Sequence, residues 1–502
     1  MNSILSKVFD VFVIGGGING CGVARDASGR GYSVYLSEKN DIASGTSSAS
    51  SKLIHGGLRY LENYEFSFVR KALKERDTLI SIAPHIVKEA RFILPYHKGL
   101  RPAWILKLGM MIYDNLYSSK FIKHSHSINI KSHATQTTLL ESYSKGFEYS
   151  DCIADDSRLT VLNAIDAKKL GSFISTRTIV SNIKQINNIW EIKTVNSITG
   201  ENQTIKAKVV INATGPWIDN FLRNAYKQTN ASNIRLVKGS HIVVKKIFDH
   251  NYSYLFQNSD GRIFFAIPWE DEFTFIGTTD VDFNEDLDNF SISEDEISYI
   301  ITSANKYFSN NISRNDVISH WSGVRPLYDN AKQKAQKASR DYVIREGSRV
   351  ADSALINVFG GKLTTFRQLS EEVVDLIESI LGNKKPSLTS KAHLPGGDFQ
   401  ISEKESLINN LSKKYDYLNI EYLKRLFQLY GTRTSLVLKR VSSIDDLGIN
   451  FGKNLYQVEV DYLMQEEFAL FPDDITERRT NLYLFLDKNN LKELGNYMEK
   501  NR

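Results

Sequence analysis

The chain has few cysteines, no long apolar run and little net charge. Cys21 and Cys152 are its only cysteines, too few for a disulfide framework or a cysteine metal site and typical of a reducing compartment. No apolar stretch reaches the ~20 residues that a membrane-spanning helix needs, and the first predicted strand leaves no room for a signal peptide. A net charge of +5 gives no indication of nucleic acid binding. We therefore expect a cytoplasmic protein, or one attached to a membrane face without crossing it, and no metal site.

The region 10–38 has the pattern of strand, glycine turn, helix, strand and acid. The apolar run Asp10–Ile14 predicts a buried parallel strand. Three glycines follow in the spacing G-x-G-x-x-G: Gly15, Gly17 and Gly20. Without Cβ atoms they permit a tight turn, close approach to a pyrophosphate and close packing of the helix predicted at Asn19–Gly29. Glu38 ends the second strand, where a ribose hydroxyl needs an acceptor, so the unit predicts dinucleotide binding.

Strands dominate the middle of the chain and helices dominate its end. A strand-like run occurs at Phe173–Val180, and a hairpin is predicted from Arg262–Pro268 and Phe273–Gly277. Apolar residues at helical spacing then predict a helix that Gly382 ends. The last hundred residues are mainly helical in pattern and include Thr476–Leu486.

Two further turns favour FAD over NAD. Val209–Trp217 predicts a strand running into a tight Ala-Thr-Gly turn, which in two-segment flavoproteins returns the chain to the same dinucleotide. Phe359–Phe366 places a glycine pair before the helix that ends at Gly382. The start of such a helix presents unpaired N–H groups and a positive dipole end. Beside an isoalloxazine ring, it would stabilise the negative charge gained on reduction.

The segment Thr46–Glu62 closely resembles a signature of the FAD-dependent, aerobic-type glycerol-3-phosphate dehydrogenases. The similarity continues through Phe147–Cys152, Asn212–Trp217, Lys238–Val244, Gly277–Asp280, Ser322–Leu327, Ser339–Tyr342 and Phe359–Phe366. The resemblance implies an α/β fold of the glycine-oxidase and D-amino-acid-oxidase type, with a two-segment FAD-binding domain, an inserted antiparallel β substrate domain and a C-terminal helical domain. It also implies oxidation of sn-glycerol 3-phosphate to dihydroxyacetone phosphate, with electrons passed to a membrane quinone.

The resemblance and the pattern of elements together divide the chain into six segments. The FAD-binding domain is expected to comprise 1–90, 171–239 and 351–385; a mixed cap and substrate segment is expected at 91–170, the antiparallel substrate domain at 240–350 and the helical domain at 391–502. FAD is expected to be held by residues from the motifs above: Gly15, Gly17, Gly20, Glu38, Thr46, Ser50, Ser51, His55, Gly56, Gly57, Thr214, Gly215, Gly360, Gly361, Lys362, Leu363 and Thr364.

A phosphate dianion on the substrate requires cationic, preferably bidentate, partners. The candidates are Arg59, Arg325 and Arg340, with Tyr60 as an additional hydroxyl donor. The resemblance points most firmly to Arg59 and Arg325. For each arginine, a surface or structural ion pair is the alternative interpretation.

Oxidation of the secondary alcohol also needs a base for the hydroxyl proton. His241 is the preferred candidate, because the ordinary pKa of histidine leaves it partly neutral at working pH. Lys362 would act as base only with a strongly lowered pKa, and otherwise as an electrostatic partner of the alkoxide or the flavin. A structural role for His241 remains the alternative.

The basic and apolar segment Arg101–Tyr113 could lie in a membrane interface or form a buried helix. The resemblance implies peripheral attachment to the cytoplasmic face of the inner membrane. Three other functions stay open: a glycerophosphate oxidase that passes electrons to oxygen and makes hydrogen peroxide, another flavin oxidase of this fold acting on an amine or amino acid, and a flavin-binding protein without turnover. The helical tail is expected to pack on the flavin domains or to form an oligomer interface, such as that of a homodimer.

Overall fold

The computed structural model describes residues 7–258, 260–329 and 341–502, which form two sheets and a helical C-terminal unit. The strands are β1 Val8–Ile14, β2 Val34–Ser37, β3 Leu53–Ile54, β4 Val87–Pro95, β5 His126–Asn129, β6 Lys145–Ala154, β7 Phe173–Ser175, β8 Thr178–Ile186, β9 Ile189–Asn196, β10 Asn202–Asn212, β11 Ile234–Lys245, β12 Ser253–Gln257, β13 Ile263–Trp269, β14 Phe273–Gly277, β15 Val281–Asp282, β16 Val317–Tyr328, β17 Val343–Val350 and β18 Ser353–Phe359.

The α-helices lie between these strands and after the last of them. They are α1 Ile18–Gly29, α2 Phe66–Ile82, α3 Ala103–Leu116, α4 Asp156–Lys169, α5 Ile218–Asn224, α6 Glu294–Ala304, α7 Phe366–Leu381, α8 Lys404–Lys414, α9 Ile420–Tyr430, α10 Thr434–Val437, α11 Gln457–Glu466, α12 Pro472–Arg478 and α13 Lys488–Asn501.

The first sheet has the order β17-β18-β10-β1-β2-β7, and β8 and β9 extend it beside β10. Its central strands β18, β10, β1, β2 and β7 run parallel to one another. Val11 and Val13 of β1 face a core shared with α1, α4 and α7, whereas Phe12 faces a second apolar cluster with Tyr35 and Trp190. Because both faces are covered, β1 reads as a continuous apolar run rather than an alternating one.

The second sheet has the order β15-β11-β14-β13-β12-β4-β6-β3, with β16 beside β11 and β5 beside β6. The predicted hairpin is confirmed as the antiparallel pair β13 and β14. The sheet departs from a purely antiparallel pattern at β4 and β12, which pair in parallel. Strand β11 begins at Ile234, and β17 belongs to the first sheet. The six segment boundaries themselves stay a prediction.

Two predicted elements are each interrupted by a residue with positive φ. The run Phe173–Val180 is split into β7 and β8 around Arg177, whose φ of 54° lies in the left-handed region. Helix α12 ends at Arg478, so Thr476–Leu486 is not one helix; Asn481, at φ 56°, breaks it before a short 3₁₀ turn. A residue with positive φ interrupts either kind of element, and residue type alone did not mark these two.

Helices α8 to α13 form a C-terminal unit with an apolar core of its own, in which Leu426, Leu463 and Ile475 are fully buried. Buried ion pairs join this unit to the rest of the chain, among them Arg158 with Glu467 and Asp41 with Arg479. The predicted α/β fold with a second sheet and a helical C-terminal domain is thus confirmed. Within the described ranges, no helix is long and apolar enough to cross a bilayer.

Candidate functional site

Four parallel strands of the first sheet end at one edge, and predicted site residues follow each of them. Gly15 follows β1, Glu38 follows β2, Thr214 comes shortly after β10, and Gly360 follows β18. A cavity of about 1330 Å³ opens at this edge and reaches the second sheet. Ligand pockets commonly measure roughly 300–1,000 Å³, so the cavity has room for a dinucleotide together with a small substrate.

Most of the predicted site residues line this cavity: Gly15, Gly17, Glu38, Thr46, Ser50, Ser51, His55, Arg59, Tyr60, Thr214, Gly215, Arg325, Gly360, Gly361, Lys362, Leu363 and Thr364. Gly20, Gly56, Gly57 and His241 do not line it. Arg340 lies outside the described residues. Three segments far apart in sequence therefore meet at one site, as the FAD prediction requires.

The first glycine turn is packed too closely for side chains. Gly15 has φ 108°, and a Cβ there would lie 2.6 Å from the carbonyl oxygen of Ala213. A Cβ on Gly20 would lie 1.9 Å from the carbonyl oxygen of Gly15. Gly15 thus permits the turn and Gly20 permits close packing of α1, although only Gly15 reaches the cavity. The open N-terminus of α1 suits a pyrophosphate.

Glu38 is held at the cavity wall by backbone donors. Its carboxylate accepts hydrogen bonds from the N–H of Gly16 at 2.6 Å and the N–H of Asn40 at 2.8 Å. Burial raises the pKa of this carboxyl, and the two backbone donors oppose that rise. The acid therefore fastens the loop after β2 to the glycine turn and has a position suited to a ribose.

The second and third turns are tied to each other and to the first. Asn212 donates to Asn357 at 2.9 Å, and Thr214 donates to Asn212 at 2.7 Å. The Asn19 side chain donates to the carbonyl of Gly360 at 3.1 Å, while its Oδ1 has no hydrogen-bond partner within the described chain. Sequence reasoning missed Asn19 as a site residue, although it lies inside the glycine motif.

A buried ion pair fixes the Ser50–Ser51 segment of the cavity wall. Lys52 donates to Asp156 at 2.6 Å, and Asp156 also accepts from the hydroxyl of Ser50 at 2.6 Å. Trp321 donates its indole N–H to the carbonyl of Ser50 at 3.2 Å. The sequence reasoning missed Lys52, although it lies within Thr46–Glu62. It missed Asp156 and Trp321 because the local sequence around Ser50 does not indicate partners more than a hundred residues away.

His241 lies behind this segment rather than in the cavity. It is 1% exposed, its Nε2 is 2.9 Å from the hydroxyl of Ser51, and its ring stacks on Trp321 with centroids 5.0 Å apart. Burial first, and then the charges of Arg325 and Lys52, lower its pKa to about 3. The histidine is therefore neutral at working pH and meets the cavity through Ser51.

Lys362 and Tyr60 form a pair at the cavity. The ammonium of Lys362 donates to the hydroxyl of Tyr60 at 2.7 Å and lies 4.1 Å from the ring centroid of Phe68. Gly57 makes this possible, because a Cβ on it would lie 2.3 Å from the Tyr60 ring. Arg59 lines the same cavity.

The neighbouring residues His55 and Gly56 have structural contacts. The backbone N–H of His55 donates to Thr364 at 3.2 Å, and burial lowers the pKa of its imidazole. Gly56 donates to the hydroxyl of Tyr113 at 2.8 Å, and a Cβ on it would lie 2.6 Å from Leu73. His55 thus faces the cavity, whereas Gly56 joins the wall to α2 and α3.

Arg325 reaches the cavity from β16 of the second sheet. Its guanidinium donates to Thr278 at 3.3 Å and lies 3.5 Å from Asp280. A Cβ on Gly239 would lie 2.6 Å from this guanidinium, so the glycine makes room for it. Arg235 lines the cavity as well and forms a two-point pair with Asp282; no sequence motif marks it.

In the described part of the chain, no cluster of three or more His, Cys, Asp and Glu side chains could hold a metal.

These features fit FAD. The close packing at the turn leaves no space for side chains in place of the glycines. The N-terminus of α1 suits the pyrophosphate, and Glu38 suits a ribose. The N-terminus of the 3₁₀ turn before α7 faces the same cavity. When bound, the flavin supplies the capacity to accept a hydride.

Residues 10–361 match the family described as FAD dependent oxidoreductase, and residues 387–500 match the C-terminal domain of alpha-glycerophosphate oxidase. The chain is 43% identical to D-erythritol 1-phosphate dehydrogenase of Brucella abortus, with 95% of each chain covered. It is 42% identical to glycerol-3-phosphate dehydrogenase of Pseudomonas aeruginosa, with 99% of this chain and 96% of the other covered.

Solved structures agree with these matches. Glycerol-3-phosphate dehydrogenase of Bacillus halodurans, complexed with FAD, superimposes with a TM-score of 0.79 at 26% identity, over 99% of this chain and 95% of the other. Glycine oxidase of Bacillus cereus shares the fold, with a TM-score of 0.55 at 19% identity over 76% of this chain and 99% of the other. The chain therefore belongs to the family of FAD-dependent glycerol-3-phosphate dehydrogenases, and its cofactor is FAD.

Proposed function

We propose that the protein oxidises sn-glycerol 3-phosphate to dihydroxyacetone phosphate at this cavity and that a membrane quinone receives the electrons. The observation that carries the proposal is a set of three cationic side chains, Arg59, Arg325 and Lys362, that line the same cavity as the glycine turn. A phosphate dianion calls for such a set, and guanidinium groups bind it in a planar, two-point geometry. The names of the relatives support the same substrate class.

We assign the phosphate to Arg325 and Arg59, with Tyr60 as a further donor. Tyr60 lines the cavity, and its hydroxyl accepts a hydrogen bond from Lys362 at 2.7 Å; a tyrosine hydroxyl can donate as well as accept. Lys362 then provides positive charge where the alkoxide develops. The proposed contribution of Arg340 stays a prediction, because that residue lies outside the described chain.

We assign the removal of the substrate's hydroxyl proton to His241, which acts through Ser51. Ser51 lines the cavity, and its hydroxyl lies within hydrogen-bond distance of Nε2, so we propose that it receives a proton from the substrate while passing its own to the histidine. Arg325 helps to lower the pKa of His241. A bound dianion at Arg325 would offset that charge and strengthen the base. Lys362 remains the alternative base.

The exposed face of α3 supports contact with a membrane. Trp104, Leu108 and Met111 follow one another at helical spacing and are 69%, 43% and 56% exposed. Only Met110 and Tyr113 of this helix are buried. Lys107 adds a positive charge to the segment. An amphipathic helix of this kind suits an interface with anionic lipid, which supports peripheral attachment to a membrane. We propose that this membrane is the inner membrane, at its cytoplasmic face, where the protein reaches a quinone.

Anaerobic mixing with glycerol 3-phosphate tests the reaction. We expect the flavin absorbance to bleach at once and to return when a quinone analogue is added. A preparation that carries FAD and does not bleach would overturn the proposal. Rapid return in oxygen with stoichiometric peroxide, and none with the quinone analogue, would assign the oxidase reaction instead.

A second substrate has a specific observation in its favour. The relative from Brucella abortus is named for D-erythritol 1-phosphate, which carries one hydroxymethylene unit more than glycerol phosphate. We expect kcat/KM for glycerol 3-phosphate to exceed that for D-erythritol 1-phosphate. A preference of tenfold or more for the longer polyol phosphate would reassign the substrate within the same chemistry.

A further inference from the structure

The C-terminal unit holds the loop that follows β2. The two guanidinium nitrogens of Arg479 lie 2.7 and 2.8 Å from the two carboxylate oxygens of Asp41. Arg478 adds a third contact, with its Nε 2.7 Å from Asp41. Asp41 and Arg479 are at most 1% exposed, and the arginines hold the pKa of Asp41 below its ordinary value. A buried ionic cluster thus joins the C-terminal end of α12 to the loop after β2.

The loop that Asp41 occupies forms part of the cavity wall. It begins at Glu38, whose carboxylate accepts from Gly16 at 2.6 Å, and Ala43 donates its N–H to the carbonyl of Gly16 at 3.0 Å. Thr46 at its end also lines the cavity. Asp41 therefore sits between two contacts to the glycine turn.

Arg177 provides a second connection between the C-terminal unit and the same loop. Arg177 donates its backbone N–H to the carbonyl of Asn40 at 2.9 Å and its guanidinium to Asp474 at 2.6 Å. Asp474 also pairs with Arg478 at 2.7 Å. The C-terminal unit therefore reaches the loop directly at Asp41 and, through Arg177, at the neighbouring Asn40.

We propose that Arg478 and Arg479 are positioning residues for FAD, so that the C-terminal unit strengthens cofactor binding by holding the Glu38–Thr46 loop in its binding conformation. Neither arginine lines the cavity, and each acts through Asp41. A loop fixed in advance costs less to order when the ligand binds. The coupling is reciprocal, so bound FAD also stabilises the contact between the loop and the C-terminal unit.

Release of FAD from the holoenzyme tests this inference independently of any substrate. Arg479→Gln removes the two-point contact, and Arg425→Gln is the matched control, because Arg425 pairs with the fully buried Glu459 inside the C-terminal unit and makes no contact with the loop. Couplings between sites commonly span about 5- to 150-fold. We expect Arg479→Gln to accelerate FAD release about tenfold or more and the control to leave it within twofold, although both lower Tm.

Arg479→Lys should restore part of the slow release, because it keeps the charge and loses only the two-point geometry. Equal acceleration in Arg479→Gln and Arg425→Gln, or no acceleration in Arg479→Gln, would overturn the proposal. If Arg479→Gln does not yield folded holoenzyme, Arg478→Gln is judged by the same criterion, since Arg478 makes only one of the three contacts with Asp41 and its side chain is more exposed than that of Arg479. Bleaching by glycerol 3-phosphate is measured separately, so failure of the proposed reaction would not imitate either result.

Discussion

The hydroxyl oxygen of Ser51 lies 2.9 Å from Nε2 of His241, so a serine on the cavity wall connects a buried histidine to the site. The serine is fixed beside Ser50, which Asp156 and Trp321 hold. This relationship makes the assignment of the base testable, because either residue can be replaced while Arg59, Arg325 and Lys362 are kept.

Removal of the proton path should slow flavin reduction and leave FAD bound. General base catalysis contributes about 10²–10⁴-fold, so we expect His241→Ala to fall in that range and Ser51→Ala to reproduce much of the loss. Ser48→Ala is the control, because Ser48 lines the same cavity and its hydroxyl donates to the carbonyl of Gly45 at 3.3 Å, away from His241. Stopped-flow reduction by glycerol 3-phosphate measures each rate. Rates within a few-fold of wild type for both His241→Ala and Ser51→Ala would point to Lys362 or solvent.

Arg325→Ala should raise KM for glycerol 3-phosphate and retain the flavin. Hydrogen bonds to charged groups contribute about 1.5–3 kcal/mol, which corresponds to roughly 10- to 100-fold. Arg235→Ala is the comparison, since Arg235 lines the cavity but is engaged by Asp282 at two points. Steady-state kinetics with both variants give the result. A larger KM effect in Arg235→Ala would move the phosphate site to that arginine.

Gly20→Ala should prevent normal loading with FAD, because its Cβ would lie 1.9 Å from the carbonyl oxygen of Gly15 and force α1 away from the turn. Gly29→Ala at the other end of α1 meets only ordinary contact, 3.8 Å from Leu170, and should load normally. The ratio of flavin to protein absorbance after purification measures both. Full loading of Gly20→Ala would contradict this account of the turn.

Stability should fall as the pH drops below about 6.5, in part because of His85. Burial first, and then Arg158 and Lys404, lower its pKa to about 3, and neither ring nitrogen has a hydrogen-bond partner within the described residues. Between pH 6.5 and 3 the unfolded chain therefore binds more protons than the folded one, so acid favours unfolding. At pH 5 this amounts to about 2 kcal/mol.

His85→Phe keeps an aromatic ring next to Phe399 and removes the titration. We expect the free energy of unfolding of this variant to change less between pH 7.5 and 5 than that of wild type, with little difference at pH 7.5. Urea unfolding at several pH values measures the slope. Parallel profiles for the two proteins would remove His85 from the pH dependence.

Negatively charged residues introduced on the exposed face of α3 should weaken binding to anionic vesicles. Trp104→Glu combined with Met111→Glu places two carboxylates on the apolar face, which an anionic surface repels. Ile444→Glu combined with Leu388→Glu alters exposed apolar residues elsewhere and serves as control. Sedimentation with vesicles containing anionic lipid should show loss of binding for the first pair only. Equal binding of both double variants would exclude this face.

Local signals were sufficient wherever one short segment carries its own geometry. The strand, helix and strand of the region 10–38, the hairpin and the helix ended by Gly382 are all confirmed by the strands and helices observed. These patterns depend on backbone conformations that require glycine and on the periodicity of apolar residues, and both can be read from residues that are close in sequence. The break at Arg177 and the break at Asn481 were missed, because positive φ at residues other than glycine has no reliable local signature.

The amino-acid sequence by itself determined the dinucleotide turn, the α/β class and the family, because these depend on glycines, strand periodicity and motifs that are contiguous in the chain. Only the tertiary structure showed that His241 lies behind Ser51 and that Asp156 accepts a hydrogen bond from Ser50. It also showed that Arg479 pairs with Asp41, which lies 438 positions earlier in the chain. The physical reason is that burial and ion pairing depend on residues that come together only when the chain folds. The spacing of residues along the sequence does not indicate which distant residues will form these contacts.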